Sequence, residues 1–258
     1  MLKHTRNPLT FNATINKEKY SQTAGEEQVC PFCSPNQLVD IFKTEKDKIW
    51  LKNKFVTIEN SLMTVLIESK EHEGDITSYS KKENQELFQF AMACWQETLE
   101  NSDFQSVVMF KNFGPMSGGS LRHPHFQIVG LKEVDAYEEL QAQDFKGLDM
   151  LSEEHLSVNL STYPMMGTVE INVILSNLSA LNTFADAVQI SAKYLLNDFM
   201  SGRCQSYNLF FYQYEGKLIC KVVPRFLTSP YFIGYKISQV YKMDRLIEIA
   251  EELSQLLK

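Results

Sequence analysis

Between residues 112 and 127 the chain reads Asn-Phe-Gly-Pro-Met-Ser-Gly-Gly-Ser-Leu-Arg-His-Pro-His-Phe-Gln. The end of this stretch places two imidazoles, His123 and His125, and one amide, Gln127, at alternate positions. Alternate residues of a strand share a face, so the three would line one face of an extended segment. Pro124 favours that geometry, because it fixes its own φ and pushes His123 out of the α region. The preceding loop, with Gly114, Gly118 and Gly119, can turn successive backbone N–H groups toward an anion. The combination is that of a loop that holds phosphate, facing a row of two histidines and a glutamine.

Several elements must position this row. The β-branched run 106–110 predicts a strand before the loop, and residues 125–130 predict one after it. Residues 62–68 predict another strand, with His72 just past its end, where ligating residues often sit. Residues 49–56 read as a strand running into a loop. A helix over 81–100 follows from Leu87, Phe88, Ala91, Met92, Trp95 and Leu99 at spacings of three and four, and these side chains are expected to be core. Residues 132–150 are acidic and mixed, with a short helix expected. Strands are expected over 155–164 and 168–175. A helix over 183–200 carries Phe184, Ala187, Val188, Leu195 and Phe199 on its apolar side. A hairpin turning at Glu215-Gly216 and an amphipathic helix over 238–257 complete the chain. Each half reads as strands, a long helix, then a strand pair. This hints at duplication and gives an α+β class with antiparallel sheets.

Composition narrows the function. A net charge of −7 argues against a nucleic-acid partner, which calls for a basic footprint. No apolar run approaches the roughly 18 residues of a membrane span, and the first residues lack an apolar signal core. A cytoplasmic protein with no membrane partner is therefore expected. Five cysteines do not suggest a disulfide framework. Cys94, Cys204 and Cys220 read as buried thiols. Cys30 and Cys33 form Cys-Pro-Phe-Cys, which suits half a metal site, a redox pair or two unrelated residues.

The sequence His123-Pro124-His125-Phe126-Gln127, preceded by Asn112-x-Gly114 and Gly118-Gly119-Ser120, resembles the active-site signature of the galactose-1-phosphate uridylyltransferase family of the histidine-triad superfamily. Arg6-Asn7-Pro8-Leu9-Thr10 resembles the family's opening segment. Cys30-Pro31-Phe32-Cys33 resembles its zinc CxxC, and Asn53-Lys54-Phe55 its nucleoside-site motif. The strand from Val65 to His72 resembles the one that leads to a third metal ligand. Order and spacing agree across residues 6–130, about half of the chain.

The resemblance implies a fold of two similar halves joined into one sheet system, residues 1–150 carrying the sites and residues 151–258 forming a degenerate second half. It implies a structural zinc ion on Cys30, Cys33, His72 and His123, a closed Cys₂His₂ set. It implies that His125 is a nucleophile that forms a nucleotidyl-histidine, with Gln127 donating to a phosphate oxygen. Asn112, Gly118, Gly119, Ser120 and Arg6 would contact phosphates, and Asn53, Phe55 and Val65 would line the nucleoside pocket. The expected partners are a nucleotide-containing small molecule and a phosphorylated acceptor or phosphate. A homodimer would suit both the family and the apolar terminal helix.

Four positions depart from the family. Gly119 stands where cysteine or serine is common, Phe126 where a small residue is usual, and Lys54 where an acidic residue is common. The second-half strand Leu218–Arg225 has no His-x-His, and its Lys221 and Arg225 suggest an anionic acceptor instead. The expected function is a nucleotidyltransferase working by double displacement on a nucleotide sugar or similar phosphoanhydride. The alternatives are a dinucleoside polyphosphate phosphorylase or hydrolase, and a zinc-stabilised nucleotide-binding protein without turnover.

Overall fold

A computed structural model describes residues 30–235, 237 and 239–258. Among the described residues ten strands form a single sheet: β1 Ile41–Glu45, β2 Lys48–Lys52, β3 Ser61–Ile67, β4 Ser106–Phe113, β5 His125–Leu131, β6 Gly147–Ser152, β7 Leu156–Ser161, β8 Ile171–Leu175, β9 Tyr207–Tyr214 and β10 Lys217–Pro224. Their order is β1-β2-β3-β5-β4-β9-β10-β8-β7-β6, and every neighbouring pair is antiparallel. The first five strands and the last five follow the same path, and the two sets meet where β4 pairs with β9. The expected α+β class with two similar halves in one sheet system is therefore what the chain forms.

Helices α1 (Lys81–Leu99) and α2 (Leu181–Asn197) occupy equivalent places, each leading into the strand at the junction. The first has a capping box: Ser80 Oγ accepts from Glu83 N at 3.3 Å, and Glu83 Oε2 accepts from Ser80 N at 2.8 Å. These bonds satisfy orphan donors at the helix start. Its buried face is wider than the sequence stripe, since Phe90 and Cys94 join Leu87, Phe88, Ala91, Met92 and Trp95. The reason is that α1 packs on two sides, against the sheet and against α2. Asn84 Nδ2 and Gln85 Nε2 donate to Ala185 O and the Asp186 carboxylate of α2. Two more helices follow, α3 (Pro230–Tyr235) and α4 (Met243–Leu257). None of the described helices is long and apolar enough to cross a membrane.

Both long helices cover the same face of the sheet. Phe126 of β5 points into this layer, with its ring 6.1 Å from Phe88 and 6.0 Å from Phe211. Alternation then sends His125 and Gln127 to the opposite face. The hairpin turn behaves as its sequence implies: Glu215 and Gly216 have φ of 49° and 73°, the positive values of a type I′ turn. Strand β1 has no counterpart in the sequence reading. All five of its residues are exposed, so it carries no alternating burial pattern to read. The short helix expected within 132–150 is a single 3₁₀ turn, Ala142–Phe145.

Candidate nucleotidyl-transfer and metal site

Strand β5 lies between β3 and β4. Its register sets Ile67 opposite His125, and Val65 and Phe110 on either side of Gln127. His125 is buried and Gln127 half-buried on the face away from the long helices. The strand begins at His125, so His123 sits one step before it rather than within the row. That step has a consequence for tautomers. The Nδ1 of His125 lies 2.8 Å from the carbonyl oxygen of His123. A carbonyl only accepts, so Nδ1 carries the proton and the lone pair of the neutral ring is on Nε2.

The same logic applies to His123. Its Nε2 lies 2.9 Å from the carbonyl oxygen of Ser69, so Nε2 carries the proton and Nδ1 the lone pair. That Nδ1 lies 3.5 Å from Cys33 Sγ, and His72 Nδ1 lies 3.3 Å from the same sulfur. The ligand atoms of Cys30, Cys33, His72 and His123 all fall within 4.8 Å of one another. Tetrahedral zinc with bonds of about 2.0–2.3 Å would need ligand separations of about 3.3–3.8 Å; the two Cys33–histidine separations lie in that range, and two thiols with two imidazoles are a donor set that suits a metal ion. Burial holds the His123 imidazole below its usual range, which favours the neutral, ligating form. Burial also pushes the Cys30 thiol up, an effect that a bound cation would reverse. The Phe32 ring, between the two cysteines in sequence, stands 5.7 Å from His123 and 5.6 Å from His125.

The glycine loop is held against the second half. Gly114 has φ 84°, and a Cβ there would come within 2.1 Å of Gln205 O, so only glycine fits. Met116 N donates to Ser206 Oγ at 3.0 Å, and Ser117 Oγ donates to Gly114 O at 2.7 Å. Gly118, Gly119 and Ser120 are exposed at the rim. Gly118 has φ 85°, which also favours glycine. Asn112 follows Lys111, which faces Phe126, so it lies level with His125. On the other side, Val65 is buried with Leu51 and Ile67 against Phe32, Leu38 and Ile49. Asn53 Oδ1 accepts from Phe55 N at 3.0 Å, which bends the Asn53-Lys54-Phe55 turn. Arg6 lies outside the described residues.

Sequence reasoning missed a buried polar network beneath the site. Lys111 and Glu68 form an ion pair with both side chains buried. Tyr79 Oη donates to Glu68 Oε2 at 3.2 Å, and Tyr207 Oη donates to the Asp75 carboxylate. Glu68 N also donates to Pro124 O at 3.1 Å. The network grips both ends of the 68–79 segment that carries His72. Burial pushes the Glu68 carboxyl up while the Lys111 ammonium pulls it down. The available signal was Lys111 itself, a charge at the end of the apolar run Val107–Phe110.

The expectation that Lys221 meets an anionic acceptor is corrected by its environment, because its side chain is fully buried. Its Nζ donates to Glu170 Oε2 at 2.9 Å, Asn172 Oδ1 at 2.8 Å and Asp144 O at 2.6 Å. Three acceptors use all three of its protons, and Phe145 covers it at 5.3 Å.

A family described as Domain of unknown function (DUF4931) matches through its N-terminal domain over residues 11–134 and its C-terminal domain over residues 137–256. A DUF4931 family protein from Bacillus cereus has a crystal structure with 40% identity and TM-score 0.78, covering 85% of this chain and 100% of that one. A uridylyltransferase structure has 15% identity and TM-score 0.72, covering 91% of each chain. An ADP-glucose phosphorylase from Arabidopsis thaliana with bound ADP-glucose has 13% identity and TM-score 0.69, covering 90% of this chain and 93% of that one. At such identities the last two show a shared fold, the histidine-triad type that the sequence resembles. No curated protein matches the sequence.

Proposed function

The chain belongs to the DUF4931 family, and from that premise and the geometry of β5 we propose that it is a nucleotidyltransferase working through a nucleotidyl-His125 intermediate. The observation that carries the proposal is the 2.8 Å contact between His125 Nδ1 and His123 O. It fixes the tautomer that a nucleophilic imidazole needs and keeps an acceptor on Nδ1–H as the ring becomes cationic.

In this reading Nε2 attacks the α-phosphorus of a nucleoside phosphoanhydride. A P–N bond forms, the P–O bond to the leaving phosphate breaks, and the leaving group departs with that electron pair. The second displacement reverses the pattern: an acceptor oxygen forms the new P–O bond and Nε2 leaves with the P–N electrons. The Gln127 amide donates to a non-bridging oxygen as charge develops. Asn112, Gly118, Gly119, Ser120 and Arg6 position the phosphates. Asn53, Phe55 and Val65 line the nucleoside side. The donor is a nucleotide sugar or similar phosphoanhydride, and the acceptor is a phosphorylated molecule or phosphate. The uridylyltransferase and ADP-glucose phosphorylase of like fold support this substrate class.

Cys30, Cys33, His72 and His123 would hold a zinc ion, since paired thiolates and imidazoles suit a structural zinc centre. Held there, such an ion would supply rigidity by tying the segment 30–33 to the His123 side chain, in the residue whose carbonyl oxygen orients His125. Thiolate ligands of this kind suit a reducing compartment, in keeping with a cytoplasmic enzyme. Residues 1–150 would carry the chemistry and residues 151–258 would support it.

The test is intact-protein mass after exposure to UDP-glucose, ADP-glucose and dinucleoside polyphosphates, with a quench that avoids acid. A gain of one nucleotide in the wild type, absent in His125→Asn, is expected. Its mass names the base. Turnover of any of these donors by His125→Asn at the wild-type rate would overturn the reading.

A further inference from the structure

The second half contributes a chain of side chains that ends at the phosphate loop. Arg225, just past β10, donates through Nη1 to Asn208 Oδ1 at 2.8 Å. Asn208, on β9, donates through Nδ2 to Asn112 Oδ1 at 2.6 Å and to Ser117 O at 3.1 Å. Asn208 is buried and Arg225 half-buried. An amide can be turned either way unless its neighbours choose. Here they do. A guanidinium only donates, so Asn208 must present oxygen to it. The Ser117 carbonyl only accepts, so Asn208 must present nitrogen to it. The direction passes to Asn112, whose oxygen faces Asn208 and whose Nδ2 is left on the glycine-loop side, 3.8 Å from where a Cβ on Gly119 would stand.

We infer that Arg225 is a positioning residue for phosphate recognition: acting through Asn208, it sets Asn112 with its N–H donors toward the glycine loop. The hydrogen bond that orients the Asn112 side chain comes from Asn208, a residue of the second half. The site beside His125 is thus completed from the second half. The kinetic consequence rests on the nucleotidyl-transfer reading. The orientation of the loop does not.

The full-length protein is compared as wild type, Arg225→Ala, Arg225→Lys and Asn208→Asp. Lysine keeps a donor-only group for Asn208 Oδ1. Aspartate at 208 keeps an acceptor for Arg225 but has no N–H for Asn112 or Ser117. The first readout is hydrogen–deuterium exchange without ligand, over peptides spanning 112–120. About a tenfold rise in exchange is expected in Arg225→Ala and Asn208→Asp, with Arg225→Lys within about threefold of wild type. Peptides spanning 68–72 should not change.

The second readout is the rate of His125 charging with whichever donor charges the wild type. At saturating donor it should fall about tenfold in the two defective variants, with the half-saturating concentration within about twofold, and lysine should restore it. Wild-type exchange over 112–120 in both defective variants would overturn the inference, as would Asn208→Asp behaving like wild type while Arg225→Ala fails. If no donor charges even the wild type while exchange follows the expected pattern, the nucleotidyl-transfer reading fails and the positioning role stands.

Discussion

Gln127 and Lys221 occupy corresponding places in the two halves of the sheet. One row of paired residues runs Val65, Gln127, Phe110, Phe210, Lys221, Asn172, Asn159. Gln127 and Lys221 lie equally far from the Phe110–Phe210 centre, on the same face. Gln127 remains half-buried beside His125, with the glycine loop at its edge. Lys221 is sealed by Phe145 and spends its protons on Glu170, Asn172 and Asp144 O. The cover is the segment that links the halves: Tyr137 and Phe145 pack on Tyr212, and Phe145 also on Tyr214. The same topology thus leaves one half of that face open beside His125 and the other half closed as core. What separates them is the path of a connecting segment and the burial of one ion pair.

The sharpest break of that comparison is His125→Asn. It should lower nucleotidyl transfer on the order of 10⁶-fold, the scale seen when a nucleophile is removed, as read by single-turnover charging. Its melting temperature should stay close to wild type.

The opposite pattern is expected for Lys221→Met. It leaves the Glu170 carboxylate buried without its ammonium partner, at a cost of about 3–5 kcal/mol in denaturant unfolding. The charging rate of the folded fraction should not change. Adding Glu170→Gln should recover part of the lost stability. A catalytic defect in folded Lys221→Met would mean that the sealed face takes part after all.

Gln127→Ala should slow charging by about 10²–10³-fold, as for loss of one donor to a developing oxyanion, with little effect on stability. The smallest effect concerns the thiols. In metal-loaded protein all five cysteines should resist a thiol reagent. After chelation Cys30 and Cys33 should react, while Cys94, Cys204 and Cys220 stay silent because burial covers them and pushes their pKa values up, Cys94 to about 12. Reaction of Cys30 and Cys33 at the same rate with and without metal would argue against their ligation.

The legibility of each feature follows from how local its cause is. The row ending in His125 and Gln127 was readable because strand alternation depends on neighbours two residues apart. The core role of Trp95 was readable from helical spacings of three and four, an equally local signal, and Trp95 is buried as expected. The proximity of Cys30, Cys33, His72 and His123 was reached through family order, since nothing local brings residue 33 to residue 123. The Glu68–Lys111 pair and the burial of Lys221 were not reached. Each depends on partners 43 to 77 residues away, and a lysine in sequence looks the same whether solvated or paired. The hint was their setting: Lys221 interrupts Ile219-Cys220 and Val222-Val223, and Lys111 ends an apolar run. A strand with both neighbours present has nowhere polar to send such a side chain except to a buried partner.

The most direct test of the account is the number and position of nucleotides that a single chain accepts. Wild-type protein would be charged with the donor that gives an adduct, weighed intact, and fragmented under conditions that preserve the P–N bond. The account predicts one nucleotide per chain, on His125, with wild-type occupancy in the folded fraction of Lys221→Met. An adduct on any other residue, two adducts per chain, or turnover of the donor without passage through His125 would contradict it.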